Sequence, residues 1–163
     1  MYKILLVCLG NLCRSPMAEV LFKRMLKEEG LDKKVLIESA ATNSQSEGDP
    51  AESRTLECVK KHGLDLDEHR TRPLRVSDFA NFDLVLAMDD KSLKSLAAMR
   101  PKADAKYKAK VMKLLEFSPE YIELYGNADV PDPYYECTFD HTFSVLETAG
   151  KGLINHLKTE VVQ

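Results

Sequence analysis

Ile4-Leu5-Leu6-Val7-Cys8-Leu9-Gly10-Asn11-Leu12-Cys13-Arg14-Ser15-Pro16 stands almost at the start of the chain and decides its reading. Four apolar residues in a row have the length and branching of a buried strand. Beyond them a thiol and a guanidinium flank a short loop that contains glycine and asparagine. Ser15-Pro16 is helix-start chemistry: serine suits an N-cap, and proline suits the first helical position, where its missing N–H costs nothing. Apolar Met17, Val20, Leu21, Met25 and Leu26 then recur at helical spacing, with Glu19, Lys23, Arg24 and Lys27 turned away. The pattern predicts an amphipathic helix over 16–28, ending at Gly30. A strand, a tight loop and a helix in this order wrap one phosphate-sized anion, lined by loop amides and the positive end of the helix.

Phosphate monoesters resist hydrolysis because the dianion repels nucleophiles and the alkoxide or phenoxide leaves poorly. Sulfur is a strong nucleophile only as thiolate, and a free cysteine with pKa near ~8.5 is mostly protonated at neutral pH. Converging amides, a helix dipole and a guanidinium favour the thiolate at such a position. The same donors then serve the three equatorial oxygens of the transferring group. Cys8 is therefore the candidate nucleophile and Arg14 the phosphate fork, with Leu9, Gly10, Asn11, Leu12, Cys13 and Ser15 as the binding loop. Gly10 admits close backbone approach, Asn11 tolerates a left-handed conformation, and the Ser15 hydroxyl is placed to hydrogen-bond the sulfur. Core packing does not require Gly, Asn, Arg and Ser in this order. Cys58 and Cys137 lack such a setting and read as small core hydrophobes.

Far downstream, Asp132-Pro133-Tyr134-Tyr135 follows Asp129-Val130-Pro131. Alone, this is ordinary turn chemistry. Beside a sulfur nucleophile, Asp132 becomes the candidate acid for the leaving oxygen.

Val7 to Glu19, read together with Asp132-Pro133-Tyr134-Tyr135, closely resembles the low-molecular-weight protein tyrosine phosphatases. The likeness extends through Glu38-Ser39-Ala40-Ala41-Thr42, His69-Arg70-Thr71-Arg72 and Phe82-Asp83-Leu84-Val85-Leu86-Ala87-Met88-Asp89. It implies that Cys8 is phosphorylated while Asp132 protonates the leaving group, and that Asp132 then serves as base for the water that hydrolyses the phosphocysteine. It also implies that Asn11, Ser15, Ser39 and His69 form the network shaping the loop, and that Tyr134 and Tyr135 wall the substrate pocket. The implied substrate is a phosphotyrosine protein or a small aryl phosphate.

Two departures stand out. Where many relatives carry Gly-Thr-Gly-Gly-Trp-His after the second strand, this chain has Ala41-Thr42-Asn43-Ser44-Gln45-Ser46, so Gln45 replaces an aromatic wall. Ring stacking is worth ~0.5–1.5 kcal/mol beyond buried area, so weaker phosphotyrosine binding or broader ester acceptance is expected. Glu136 also stands where glycine is common. Two other activities of similar folds fit less well. Arsenate reduction needs cysteines within 82–90, where there are none. Phosphoarginine hydrolysis goes with threonine at the position of Leu12.

The remaining sequence bounds these readings. The chain has 163 residues, 44% hydrophobic and 30% charged, with a net charge of -3, as expected of a single domain spanning 1–163 that binds no nucleic acid. No run approaches membrane-spanning length, and the apolar start is too short for a signal peptide, so a cytoplasmic protein is expected. Four cysteines without CxxC pairs, and four histidines without ligand spacing, predict neither a zinc site nor a disulfide framework. No cofactor is expected, and no oligomeric state is read. Cys8 and Cys13, at opposite ends of one loop, could form a transient protective disulfide, or Cys13 is simply a small buried residue.

Strands are expected at 3–7, 35–39, 84–87 and 111–114. Helices are expected at 16–28, about 51–62, 90–97 and 138–158, the last with a core stripe of Phe139, Phe143, Leu146, Ala149, Leu153 and Leu157. The alternation predicts an α/β domain of three layers: a four-stranded parallel sheet with helices on both faces and a phosphate-binding loop after the first strand. Segment 42–49 should be a loop bordering the site. The basic cluster of Arg100, Lys102, Lys106, Lys108, Lys110 and Lys113 should be a solvated connection.

Overall fold

Strand β1 (Tyr2–Cys8) lies inside a four-stranded parallel sheet in the computed structural model, which describes residues 1–162. Gln163, the last residue of the expected domain, lies outside the described residues. β2 (Val35–Ala41) flanks β1 on one side; β3 (Leu84–Ala87) and then β4 (Lys110–Lys113) follow on the other. The chain thus winds in opposite directions on the two sides of β1. Open parallel sheets bind ligands in the crevice at such a reversal, beyond the carboxyl ends of the strands. Cys8, paired with Ala41, is the last residue of β1 and points the next loop into that crevice.

Side chains alternate across the sheet. Ile4, Leu6 and Cys8 join a core with α1 (Arg14–Glu28), α2 (Ser53–Lys61) and α7 (Phe139–His156). Leu5, Val7, Val85 and Ala87 face Phe79 of α3 (Asp78–Asn81) and Leu96 of α4 (Asp90–Met99). This is the expected three-layer α/β domain. The α7 stripe from Phe139 to Leu157 is buried throughout. Its glycines set how closely it packs: a Cβ on Gly150 would lie 2.8 Å from Met25 Sδ, and one on Gly152 would collide with the carbonyl oxygen of Phe117. Among the described residues, no helix is long and apolar enough to cross a membrane.

Several details differ from expectation. Helix α1 begins at Arg14, with Cys13 rather than Ser15 at the cap position. The reason is that the Ser15 hydroxyl is engaged by Asn11 and Cys8 and does not cap the helix. Cys58 is buried as expected, but Cys137 is exposed. It ends the short helix α6 (Pro133–Glu136) in a left-handed conformation, φ 53°. Lys113 is no solvated residue of a basic connection; its Nζ is held between Asp90 at 2.5 Å and Asp129 at 2.9 Å. Short helices at α3, α5 (Pro119–Tyr125) and α6 were not expected, since one or two turns leave too little periodicity to read.

Candidate active site

The loop from Cys8 to Ser15 is held from below. Asn11 is fully buried with φ 55°, the left-handed conformation that asparagine tolerates. Its backbone N–H donates to Cys8 Sγ at 3.3 Å, and its Nδ2 donates to Ser15 Oγ at 2.8 Å. Its Oδ1 accepts from the Arg72 N–H at 3.3 Å, and its carbonyl oxygen lies 2.9 Å from His69 Nε2. One asparagine thus ties the loop to the segment carrying His69 and Arg72. Because Ser15 Oγ already accepts from Asn11, its own proton is available to Cys8 Sγ, 2.9 Å away. The sulfur therefore sits where two donors converge. Asn11, Ser15 and His69 join the network that the resemblance implied. Ser39 does not: its Oγ is buried without a hydrogen-bond partner among the described residues.

Arg14 rises beside the sulfur, 3% exposed. One terminal nitrogen donates to Asp89 Oδ2 at 2.8 Å and to the Val130 carbonyl at 3.0 Å; the other faces Asp132 Oδ2 at 3.4 Å. Burial pulls the guanidinium pKa down, but the Cys8 sulfur, Asp89 and Asp132 outweigh it, so Arg14 stays charged. Burial pulls the Asp89 carboxyl up; the Ser92 N–H and Arg14 more than offset this and hold it below the usual carboxylate range. Cys13 behaves differently from a nucleophile. Its burial pushes the thiol up to about 12, so it is a thiol at neutral pH.

A cavity opens over the sulfur. Cys8, Leu9, Gly10, Leu12, Cys13 and Arg14 form its floor, Asp132, Tyr134 and Tyr135 one wall, and Asn43, Gln45 and Ser46 the other. The structure therefore brings every candidate residue together, Asn11 and Ser15 beneath the floor and the rest along the lining. It also puts Gln45 on the wall where the resemblance expected a missing ring. Asp132 Oδ1 accepts from the Tyr134 N–H at 3.1 Å, capping α6. Tyr134 and Tyr135 meet edge to face with centroids 5.0 Å apart, and both are exposed.

Two residues were missed by sequence reasoning. Asp89 follows β3 at the carboxyl edge of the sheet and caps α4 by accepting from the Ser92 N–H at 2.8 Å. An acid just after a strand, three residues ahead of serine, was the available signal. Arg54 carries no motif signal. Its guanidinium donates to the Tyr134 carbonyl at 3.3 Å, lies 5.5 Å from the Tyr134 ring centroid, and pairs with Glu52 at 2.8 Å. The Glu52 N–H in turn donates to the Leu12 carbonyl at 3.0 Å, linking floor and wall.

Comparison with known proteins agrees with this arrangement. Residues 3–163 match the family model described as low molecular weight phosphotyrosine protein phosphatase. Low molecular weight protein-tyrosine-phosphatase YfkJ of Bacillus subtilis is 34% identical over 160 residues, covering 98% of each chain. A crystal structure of that protein superposes with a TM-score of 0.87, covering 98% of this chain and 96% of the other, at 32% identity. Protein tyrosine phosphatase from Entamoeba histolytica, solved with Hepes in its active site, gives a TM-score of 0.86 at 38% identity, covering 97% of both chains. The chain therefore belongs to the low molecular weight phosphotyrosine protein phosphatase family and is an enzyme of that hydrolase class.

Proposed function

We propose that this protein hydrolyses phosphotyrosine in proteins, and small aryl phosphates, through a phosphocysteine formed on Cys8. The observation that carries the reading is the convergence of the Asn11 N–H and the Ser15 hydroxyl on Cys8 Sγ, beneath a cavity rimmed by Arg14 and Asp132. In the first step the Cys8 sulfur attacks phosphorus, the P–O bond to the phenol breaks, and the Asp132 proton goes to the departing oxygen. Loop amides and Arg14 hold the three equatorial oxygens while charge spreads over them. In the second step water attacks phosphorus, gives its proton to the Asp132 carboxylate, and the P–S bond breaks to release inorganic phosphate. The Ser15 hydroxyl stabilises sulfur as it departs. Asp89 and the Val130 carbonyl are positioning groups that aim the Arg14 fork.

No metal or cofactor enters these steps. We place the activity in the cytoplasm, where thiols are kept reduced. Leu12, branched and apolar on the floor, suits a flat phenyl ring better than a guanidinium.

A substrate panel in the presence of EDTA tests the proposal. Phosphotyrosine peptides and p-nitrophenyl phosphate should turn over, phosphoserine and phosphoarginine peptides hardly at all, and Cys8→Ser should be inactive yet bind vanadate. A strict metal requirement, or near-normal activity in Cys8→Ser, would overturn it.

A further inference from the structure

Outside the phosphate cavity, at the seam between α2 and α7, three different metal-ligating groups meet. Cys58 and His62 are four residues apart on and just beyond α2, so they face the same way. Asp140 comes to them from the first turn of α7. One ligand atom from each lies within 4.8 Å of the other two. Cys58 Sγ donates to Asp140 Oδ1 at 3.6 Å, and the His62 ring stacks on Phe143 with centroids 3.8 Å apart, which fixes the plane of the imidazole. The spacing that appeared absent in the sequence is supplied by the fold. Neither His62 nor Asp140 has a part in the phosphatase site.

We propose that Cys58 Sγ, the His62 imidazole and the Asp140 carboxylate bind one zinc ion, with water as the fourth ligand. A thiolate, an imidazole and a carboxylate form a donor set that zinc favours, and ligand atoms of a tetrahedral zinc site lie about 3.4–3.6 Å apart, the pairs that include sulfur at the long end. The Cys58–Asp140 separation already meets this. The remaining separations, all within 4.8 Å, close by rotation of the exposed Asp140 side chain and by the His62 ring sliding over Phe143 in its own plane. On binding, the S–H bond of Cys58 breaks, its proton goes to solvent, and sulfur donates its electron pair to the metal, so affinity tightens as pH rises. Lys61 Nζ, 3.8 Å from Asp140 Oδ2, is the competing cation and limits the affinity. A bound ion would fasten α2, whose start carries Glu52 and Arg54, to the beginning of α7 behind the Tyr134 wall.

Cobalt replaces zinc as the spectroscopic probe, in the full chain carrying Cys8→Ser so that the cavity thiol cannot compete. One equivalent should bind with a thiolate-to-cobalt charge-transfer band that zinc bleaches. Adding Cys58→Ser should abolish the band, and adding His62→Ala, an exposed change, should weaken binding at least about tenfold. Lys61→Gln should tighten it severalfold. No saturable band in the Cys8→Ser protein would overturn the site. So would a band undiminished by His62→Ala in a protein shown to be folded by circular dichroism, since the metal would then belong to Cys13 or Cys137.

Discussion

The Cys8–Ser15 loop and the Asp132–Cys137 segment face each other across one cavity, yet they are held in different ways. The loop is buried, and its key side chain, Asn11, uses its backbone N–H, its carbonyl and both ends of its amide on four separate partners. The segment is an exposed single turn. Tyr134 is 47% and Tyr135 74% exposed, and Arg54, itself at the surface, reaches across to Tyr134. The difference follows from what each must do. A phosphate cradle works by being preorganised, because donors that need not move lower the barrier most. An outer wall must admit and release a protein-bound ring, and motion there costs little. Charge follows the same division: the guanidinium under the cavity is fixed by a carboxylate and a carbonyl, whereas the acid above it is held by one backbone N–H and a long contact to Arg14.

Substitutions should separate the two sides. The largest effect is expected from Cys8→Ser, with turnover reduced at least about 10⁴-fold, as for other lost nucleophiles. Vanadate binding should persist, because the amides and Arg14 remain. Asp132→Asn should follow, with kcat on phosphotyrosine down about 10²–10³-fold and p-nitrophenyl phosphate much less affected, since its leaving group needs little protonation. Equal losses on both substrates would remove Asp132 from the acid role.

Asp89→Asn tests the floor from behind. It should lower kcat about 10-fold or more by loosening Arg14, with KM for the phenyl ring nearly unchanged. It should also flatten acid denaturation. Because the Asp89 carboxyl is held below its unfolded value near ~3.9, it contributes stability above that value and loses it as pH falls through the folded one. Thermal melts from pH 7 downward should show a smaller decline in the variant. The smallest effect belongs to the wall: Gln45→Trp should tighten phosphotyrosine binding about two- to tenfold, the worth of one stacked ring, without changing kcat. A change in kcat there would mean that the wall shapes the reaction as well as the fit.

The sequence announced the floor better than the wall. A run of Ile4 to Val7 ending at Cys8, then Gly, Asn, Arg and Ser before an amphipathic helix, is local information, and local information survives folding. The roles of Asn11 and Ser15 were visible because both lie inside that run. Even there the start of the helix was misread: Ser15 has the chemistry of an N-cap, but its hydroxyl is drawn to sulfur instead. Asp89 and Arg54 lie 75 and 80 residues from the partners they hold, Arg14 and Tyr134; the pairing of β1 with β3 brings the first together, and the packing of helices outside the sheet the second. Ser39 failed in the opposite sense, matching a pattern while its buried Oγ finds no hydrogen-bond partner among the described residues. Cys137 was taken for a core residue because residue type says nothing about a left-handed turn. The Cys58–His62–Asp140 cluster was invisible for a related reason, since Cys58 and His62 lie on and just beyond α2 and only the fold brings Asp140 to them from α7.

The most direct test is to trap the intermediate. Wild-type protein mixed with a radiolabelled phosphotyrosine peptide and quenched within one turnover should carry label on the peptide containing Cys8, with the acid-stability profile of an S–P bond. Label absent throughout the turnover, or found on a peptide without Cys8, would contradict the account.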